Sequence, residues 1–271
     1  MKIGVVHVTT EAVSGPYTEM ITANLDRAKS DTTEVVHRYV GHMRRATDTA
    51  IAYPTLLNKV DVIREFVELE RDGVDAVFVA CSGDPGVSEA RSLLSIPVVG
   101  PMEAAMALAC SYGWRFGIVT VADRTWGSWM DQLVHINGFS TRYAGLRQLE
   151  TPTARVFTEG FSNPALVEAD LRARCAEMAA DGADAILLGS AGLSTFATSF
   201  GLAATDPPEV PIFDVLSVGL KFAELRAELH QQLGVPAVSR GGWHESFAAE
   251  DRERVDRLFG WQPAEAVTKP A

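Results

Sequence analysis

The sequence predicts an α/β protein of two pseudo-symmetric, doubly wound parallel-sheet lobes, with the active site in the cleft between them. An internal repeat is the first reason. Asp72-Gly73-Val74-Asp75-Ala76-Val77-Phe78-Val79-Ala80 and Asp181-Gly182-Ala183-Asp184-Ala185-Ile186-Leu187-Leu188-Gly189 follow one pattern. Each ends a helix at Asp-Gly, opens a strand at Asp-Ala and runs into a loop of small residues. Two further resemblances recur in the same order. Lys2 to Val8 resembles Arg115 to Val121, and Ile96-Pro97-Val98-Val99 resembles Val210-Pro211-Ile212-Phe213, each of the latter pair followed by a helical run. One such match would be coincidence between short strands, whereas three in one order argue for duplication of a whole domain. The last reason is periodicity. The strands are continuous apolar runs, as in parallel sheets covered on both faces. Between them, Val60 to Arg71 carries an apolar stripe through Val60, Ile63 and Val67, and Leu166 to Ala180 one through Leu171, Cys175 and Met178.

Alternating strands and helices give one doubly wound lobe, twice. The expected division is residues 1–100 plus about 215–240 for the first lobe, 101–214 for the second and 241–271 for a C-terminal docking tail. In that tail, Trp243, Phe247, Leu258, Phe259 and Trp261 accompany a predicted helix from Ala249 to Phe259, expected to dock on a lobe or a neighbouring subunit. Ala264 to Ala271 read as a frayed end.

Bulk properties narrow the function. A length of 271 residues suits two domains of ordinary size. No run approaches the ~20 apolar residues that span a membrane, and Met1-Lys2-Ile3-Gly4-Val5-Val6 reads as a first strand rather than a signal peptide. The expected location is cytoplasmic, with no membrane partner. A net charge of -11 without a basic run argues against nucleic acid. Three cysteines in such a chain are expected to be reduced. The six histidines are scattered, with no H-x-x-x-H or C-x-x-C spacing, so no metal is expected.

Ligands of doubly wound sheets bind beyond the carboxyl ends of the strands. Cys81 and Ser190 occupy that position in the two copies of the repeat. The first loop reads Ala80-Cys81-Ser82-Gly83-Asp84-Pro85-Gly86. Asp84 suits an N-cap and Pro85 a first helical residue, so a helix is expected directly after the loop. Its free N–H groups would favour a Cys81 thiolate and a substrate anion. Ser82 and Gly83 let the backbone approach a ligand. A small buried cysteine ending a strand is the plainer reading; the polar loop and the repeat favour the chemical one. Cys110 and Cys175 fall on apolar helix faces and read as core.

Ser190, with Ala191 and Gly192, is either a turn residue or the second half of the site. The loop is no G-x-S-x-G elbow, and the chain has neither a Walker loop nor a complete G-x-G-x-x-G fingerprint. Thr9, Thr10 and Thr120 follow or end equivalent strands; they bind substrate or cap loops. His7, at the end of the first strand, is expected to point toward the site. The aromatic stretches Trp126 to Trp129 and Phe157 to Phe161 read equally as specificity loops or as core and interface.

These residues resemble the Asp/Glu/hydantoin racemase superfamily, and within it the hydantoin racemase branch. The resemblance is carried by Asp72 to Thr120, with the Cys81 loop, Ile96-Pro97-Val98-Val99-Gly100 and Glu103-Ala104-Ala105-Met106, and by Asp181 to Gly192 and Val210 to Glu224. It covers most of residues 1–235. It implies cofactor-independent chemistry at a carbon acid: two cysteines flank the substrate, one removing the α-proton and the other protonating the opposite face. Cys81 matches the first cysteine. Ser190 stands at the second, and a serine hydroxyl is a far weaker acid than a thiol. The first-strand loop also departs, with His7-Val8-Thr9-Thr10 where the branch has Asn-Pro-Asn-Ser/Thr.

The implied function is a racemase or isomerase acting on a small hydantoin-like or carboxylate substrate, with no cofactor and Cys81 thiolate as acid/base. One alternative is a single-cysteine relative doing covalent or one-sided chemistry: decarboxylation, cis–trans isomerisation, or hydrolysis or desulfurisation of a hydantoin-type ring. Another is a non-catalytic ligand-binding protein on the same fold. The resemblance and the apolar tail together suggest a homo-oligomer.

Overall fold

The first sheet contains β1 (Lys2–His7), β2 (Glu34–Tyr39), β3 (Ala76–Val79) and β4 (Val98–Val99) in the order β2-β1-β3-β4. The second contains β5 (Phe116–Ala122), β6 (Tyr143–Pro152), β7 (Ala185–Leu188) and β8 (Ile212–Phe213) in the order β6-β5-β7-β8. The computed structural model describes residues 1–13, 15–206, 208–246 and 248–261. Of the expected tail, Phe247 and Ala264 to Ala271 lie outside the described residues. Pairing within both sheets is parallel, and the registers correspond. Ile3 lies beside Ala76 as Phe116 lies beside Ala185, and Val77 beside Val98 as Ile186 beside Ile212.

The repeated Asp-Gly…Asp-Ala phrase does the same mechanical work twice. The long helices α2 (Ala52–Arg71) and α8 (Pro164–Ala180) end at Gly73 and Gly182, which hold φ of 79° and 90°. That left-handed turn is open to glycine without a steric penalty. The following aspartates then tie the central strands together. The Asp75 carboxylate accepts the Lys2 N–H at 2.6 Å, and the Asp184 carboxylate accepts those of Trp114 and Arg115 at 2.8 and 2.9 Å. β3 and β7 are buried along their whole length. The edge strands β2 and β6 are largely half-buried and carry polar residues among the apolar ones.

The remaining helices are α1 (Gly15–Ala28), α3 (Val87–Ala90), α4 (Pro101–Ala109), α5 (Arg124–Ile136), α6 (Thr153–Val156), α7 (Glu159–Ser162), α9 (Ala191–Ser199), α10 (Val215–Leu233) and α11 (Ala249–Leu258). α10 follows the second sheet in sequence but packs against α4, α1 and β3. It buries Val215, Leu216, Leu220, Ala223 and Ala227 there. Gly219 permits the contact with α4, since a Cβ at this position would lie 2.8 Å from Pro101 Cβ. Among the described residues, no helix is long and apolar enough to cross a membrane, and no group of three His, Cys, Asp or Glu is placed to hold a metal ion.

Some helical expectations need adjustment. α2 begins at Ala52 rather than Val60, and Val60 is exposed together with Tyr53, Leu56 and Leu57. The buried face runs instead through Val62, Ile63, Phe66, Val67 and Leu69. Leu171, Cys175 and Met178 of α8 are buried, whereas Cys110 is only half-buried at the end of α4. Just before the tail, the Arg240 guanidinium donates to the carbonyls of Arg91 and Leu94, both at 2.6 Å, holding the start of this segment against the first lobe. Trp261 packs on the core, while Trp243 and Phe259 stay exposed.

Candidate active site

β3 ends at Val79, and the chain then turns sharply: the Cys81 N–H donates to the Val79 carbonyl at 2.8 Å. Cys81 is only 6% exposed, and the Gly83 N–H donates to its Sγ at 3.5 Å. Asp84 overturns the expected N-cap. It does not start a helix after its own loop. Its carboxylate reaches across to α4 and accepts the N–H groups of Met102 at 3.0 Å and Glu103 at 2.8 Å. This holds Asp84 at φ 49°, in the left-handed region. The next helix, α3, starts only at Val87, because Gly86 intervenes at φ 77°. Gly86 lies against α2, where a Cβ would meet Ile63 at 3.1 Å and the Lys59 carbonyl oxygen at 3.3 Å.

No helix therefore starts directly after the Cys81 loop. Burial pushes its thiol up to about 12, the Gly83 N–H opposing this and the Asp84 charge adding to it. The helix start expected directly after the loop is absent, and burial favours the thiol over the thiolate. Burial also raises Asp84 to about 7, against the pull of its two N–H donors.

A raised carboxyl group stabilises the fold below its unfolded pKa and loses that contribution as pH rises through the folded value. Asp84→Asn is thus expected to destabilise the protein by about 1–2 kcal/mol, through loss of part of the α4 cap. The loss should be greater at pH 5 than at pH 8. Urea unfolding of both proteins at the two pH values checks this, and an equal loss at both would contradict it.

The second loop is built differently. β7 ends at Leu188, and Ser190, extended at φ -154°, is the N-cap of the nine-residue α9. Its hydroxyl makes no hydrogen bond to the N–H groups of the helix. Gly189 anchors the turn, its carbonyl accepting the Thr120 hydroxyl at 2.7 Å and the Trp126 indole N–H at 2.6 Å.

The two loops border one cavity of about 750 Å³, a size typical of small-molecule sites. Cys81, Ser82, Ser190, Ala191 and Thr9 line it. The remaining expected site residues stand behind or beside it. Gly83 supports the wall: its carbonyl accepts the Trp129 indole N–H at 3.2 Å, and a Cβ there would lie 2.8 Å from Trp126 Cη2. Gly192 admits the Phe157 ring, since a Cβ would come within 2.2 Å of Phe157 Cε1. Thr120 is committed to Gly189. Thr10 links two loops through its backbone, donating to the Met43 carbonyl at 2.8 Å.

His7 is turned away from the cavity. It stacks on Tyr39 and His37, with its Nε2 2.9 Å from His37 Nδ1. Burial holds it at about 3, and therefore neutral. Adjacent residues of an extended chain face opposite ways, and Val8 is the one that lines the cavity.

Further residues complete the lining. Tyr17 of α1 and Arg44 and Arg45 after β2 join it. Trp126 to Trp129 form part of helix α5 rather than a loop, with Asp123 as N-cap accepting the Trp126 N–H at 2.9 Å. Trp126 is at once buried and cavity-lining, and the half-buried Phe157 and Phe161 line the cavity too. Ser82 Oγ and Thr153 Oγ1 are buried and lack a hydrogen-bond partner.

Fold and cavity together define a two-lobed α/β protein with a thiol and a hydroxyl, from equivalent strand ends, bordering one small-molecule-sized cavity. The sequence profile described as Asp/Glu/Hydantoin racemase matches residues 3–223, and the chain belongs to that family. A hydantoin racemase of Pseudomonas sp. (strain NS671) is 34% identical over 177 residues, 65% of this chain and 68% of the relative. Among solved structures, an allantoin racemase from Klebsiella pneumoniae superposes with a TM-score of 0.72 at 26% identity, covering 92% of this chain and 94% of the other. The allantoin racemase of Pseudomonas fluorescens also gives 0.72, at 25% identity, over 91% of this chain and 97% of the other.

Proposed function

We propose that the protein is a cofactor-independent racemase acting at the acidic carbon of a small hydantoin-like ring or carboxylate, with Cys81 as an acid/base group. The observation that carries this reading is that Cys81 and Ser190, equivalent residues of a duplicated fold, border the same cavity. The hydantoin and allantoin racemases among its relatives support the substrate class. In this mechanism the C–H proton leaves to a base on one face, the electron pair delocalises into the adjacent carbonyl, and a proton returns on the other face. The N–H groups of the first turn of α9, which the Ser190 hydroxyl leaves unbonded, are suited to the developing oxyanion.

The protonation state of Cys81 assigns its easier direction. A thiol at about 12 is ionised in roughly one molecule in 10⁵ at pH 7. Cys81 is therefore held protonated: it is scarce as a thiolate, and as a weak acid it gives its proton only to a strongly basic centre such as an enolate carbon. Delivery of its proton to an enolate leaves a thiolate, which is reset by taking the proton from the next substrate or from water. Ser190, or a water beside it, serves the opposite face.

The same observation favours a second reading, in which only one face is used. A thiol beside a hydroxyl suits protonation of a carbanion formed by loss of another group, such as carbon dioxide from a carboxylate.

An enantiopure 5-substituted hydantoin in D₂O distinguishes the two when the C5 proton signal and optical rotation are followed together. Enzyme-dependent loss of both is the expected result. Exchange with retained rotation would move the assignment to one-sided chemistry, and no change in either would remove hydantoins from consideration.

A further inference from the structure

The cavity has an uneven chemical lining. Val8, Val13, Pro16, Trp126, Phe157 and Phe161 make much of it apolar and aromatic. Arg44 and Arg45 bring two cationic groups to it from the segment after β2. Both are exposed, and among the described residues neither guanidinium has a hydrogen-bond or carboxylate partner. Asp123, the acidic residue in the lining, is already occupied in capping α5.

Their segment is held in place on both sides. The Val40 N–H donates to the His7 carbonyl at 3.3 Å, and the Met43 carbonyl accepts from Thr10 at 2.8 Å. His42 Nδ1 lies 2.6 Å from Asp61 Oδ2. The Arg45 carbonyl accepts the Asp48 N–H at 3.1 Å, starting a 3-10 turn over Ala46–Ala50. Two adjacent arginines thus line the cavity in a chain whose net charge is -11.

Arginine forks match carboxylates in geometry as well as charge. The cavity, at about 750 Å³, has room for a drug-sized molecule rather than a bare five-membered ring. We propose that Arg44 and Arg45 form an anion subsite, selecting substrates that carry a carboxylate beyond an apolar spacer. The reacting carbon lies at the Cys81 end, the spacer along the aromatic lining and the carboxylate at the arginines. This deepens the racemase reading and rests on it for the nature of the reacting group.

A matched pair of ligands tests it: 5-(4-carboxybenzyl)hydantoin and 5-(4-carbamoylbenzyl)hydantoin, nearly equal in size and differing in charge. Titration calorimetry on the native protein should show the acid binding about fivefold tighter or more, the range expected of two solvent-exposed ion pairs. The preference should shrink at 0.5 M salt. In the Arg44→Gln/Arg45→Gln protein it should disappear, with affinity for the amide unchanged. Equal affinities, failure of the acid to bind, or the same loss for both ligands in the variant would each overturn the subsite. Failure of the racemase reading looks different: the acid would bind preferentially through the arginines yet keep its C5 proton in D₂O.

Discussion

Replacing Cys81 with alanine is expected to slow enzyme-dependent exchange of the substrate C5 proton by about 10³-fold, within the range of a lost acid/base group. The fold should survive. Cys81 is a small side chain at a strand end, and its sulfur accepts a long hydrogen bond from the Gly83 N–H at 3.5 Å. The loop's other attachments, Cys81 N–H to Val79 and the Asp84 carboxylate to α4, do not involve the sulfur. A loss of about 1 kcal/mol would shift the midpoint of a chain this size by roughly 2–4 °C. Cys81→Ser supplies the second comparison. It retains shape and a hydroxyl but removes the thiol, and it should be nearly as inactive as the alanine variant. Exchange within about tenfold of native in either variant, with normal unfolding curves, would exclude Cys81 as the proton carrier.

The duplicated architecture was legible in the sequence because its central strands are buried on both faces. β1, β3, β5 and β7 show as apolar runs, and the Asp-Gly turns before β3 and β7 need a residue free to take positive φ. β2 and β6 are not legible as apolar runs because these two strands are half-solvated; Glu34, His37 and Arg38, like Arg147 and Gln148, interrupt any apolar run. Arg44 and Arg45 were missed with them, since they follow an unrecognised strand. Asp84 shows a different limit. Its chemistry as a helix cap was legible, but its helix lies 17 residues further along the chain, at Pro101. Local rules read the nearest helix, and the fold supplied another. His7 failed for a geometric reason: in an all-apolar strand nothing in the pattern marks which face the last residue takes. Cys81 and Ser190 could be paired from sequence because repetition, unlike local propensity, carries information about what meets across a cleft.

That pairing leads to the second large effect. Ser190→Cys is expected to raise the rate of loss of optical rotation by about 10²-fold, the lower part of the acid/base range. Ser190 is the N-cap of α9 but makes no side-chain bond to the helix, so a thiol can take its place without breaking a cap. It is 8% exposed, which leaves room for a modest increase in size toward the cavity. The introduced thiol would sit at the start of a nine-residue helix, where partial positive charge lowers a thiol pKa. Cys81 stands at no helix start of its own and is pushed up by burial. One site would then hold a group that stays protonated until it meets a basic enolate and the other a group more often ionised and free to take a proton, the separation of pKa values that acid/base pairs require. In the native protein the hydroxyl supplies the second face only weakly, so proton exchange should outpace inversion; in the variant the two rates should converge. A variant that exchanges faster without inverting faster would place the new thiol on the same face as Cys81, and the two-faced mechanism would fall.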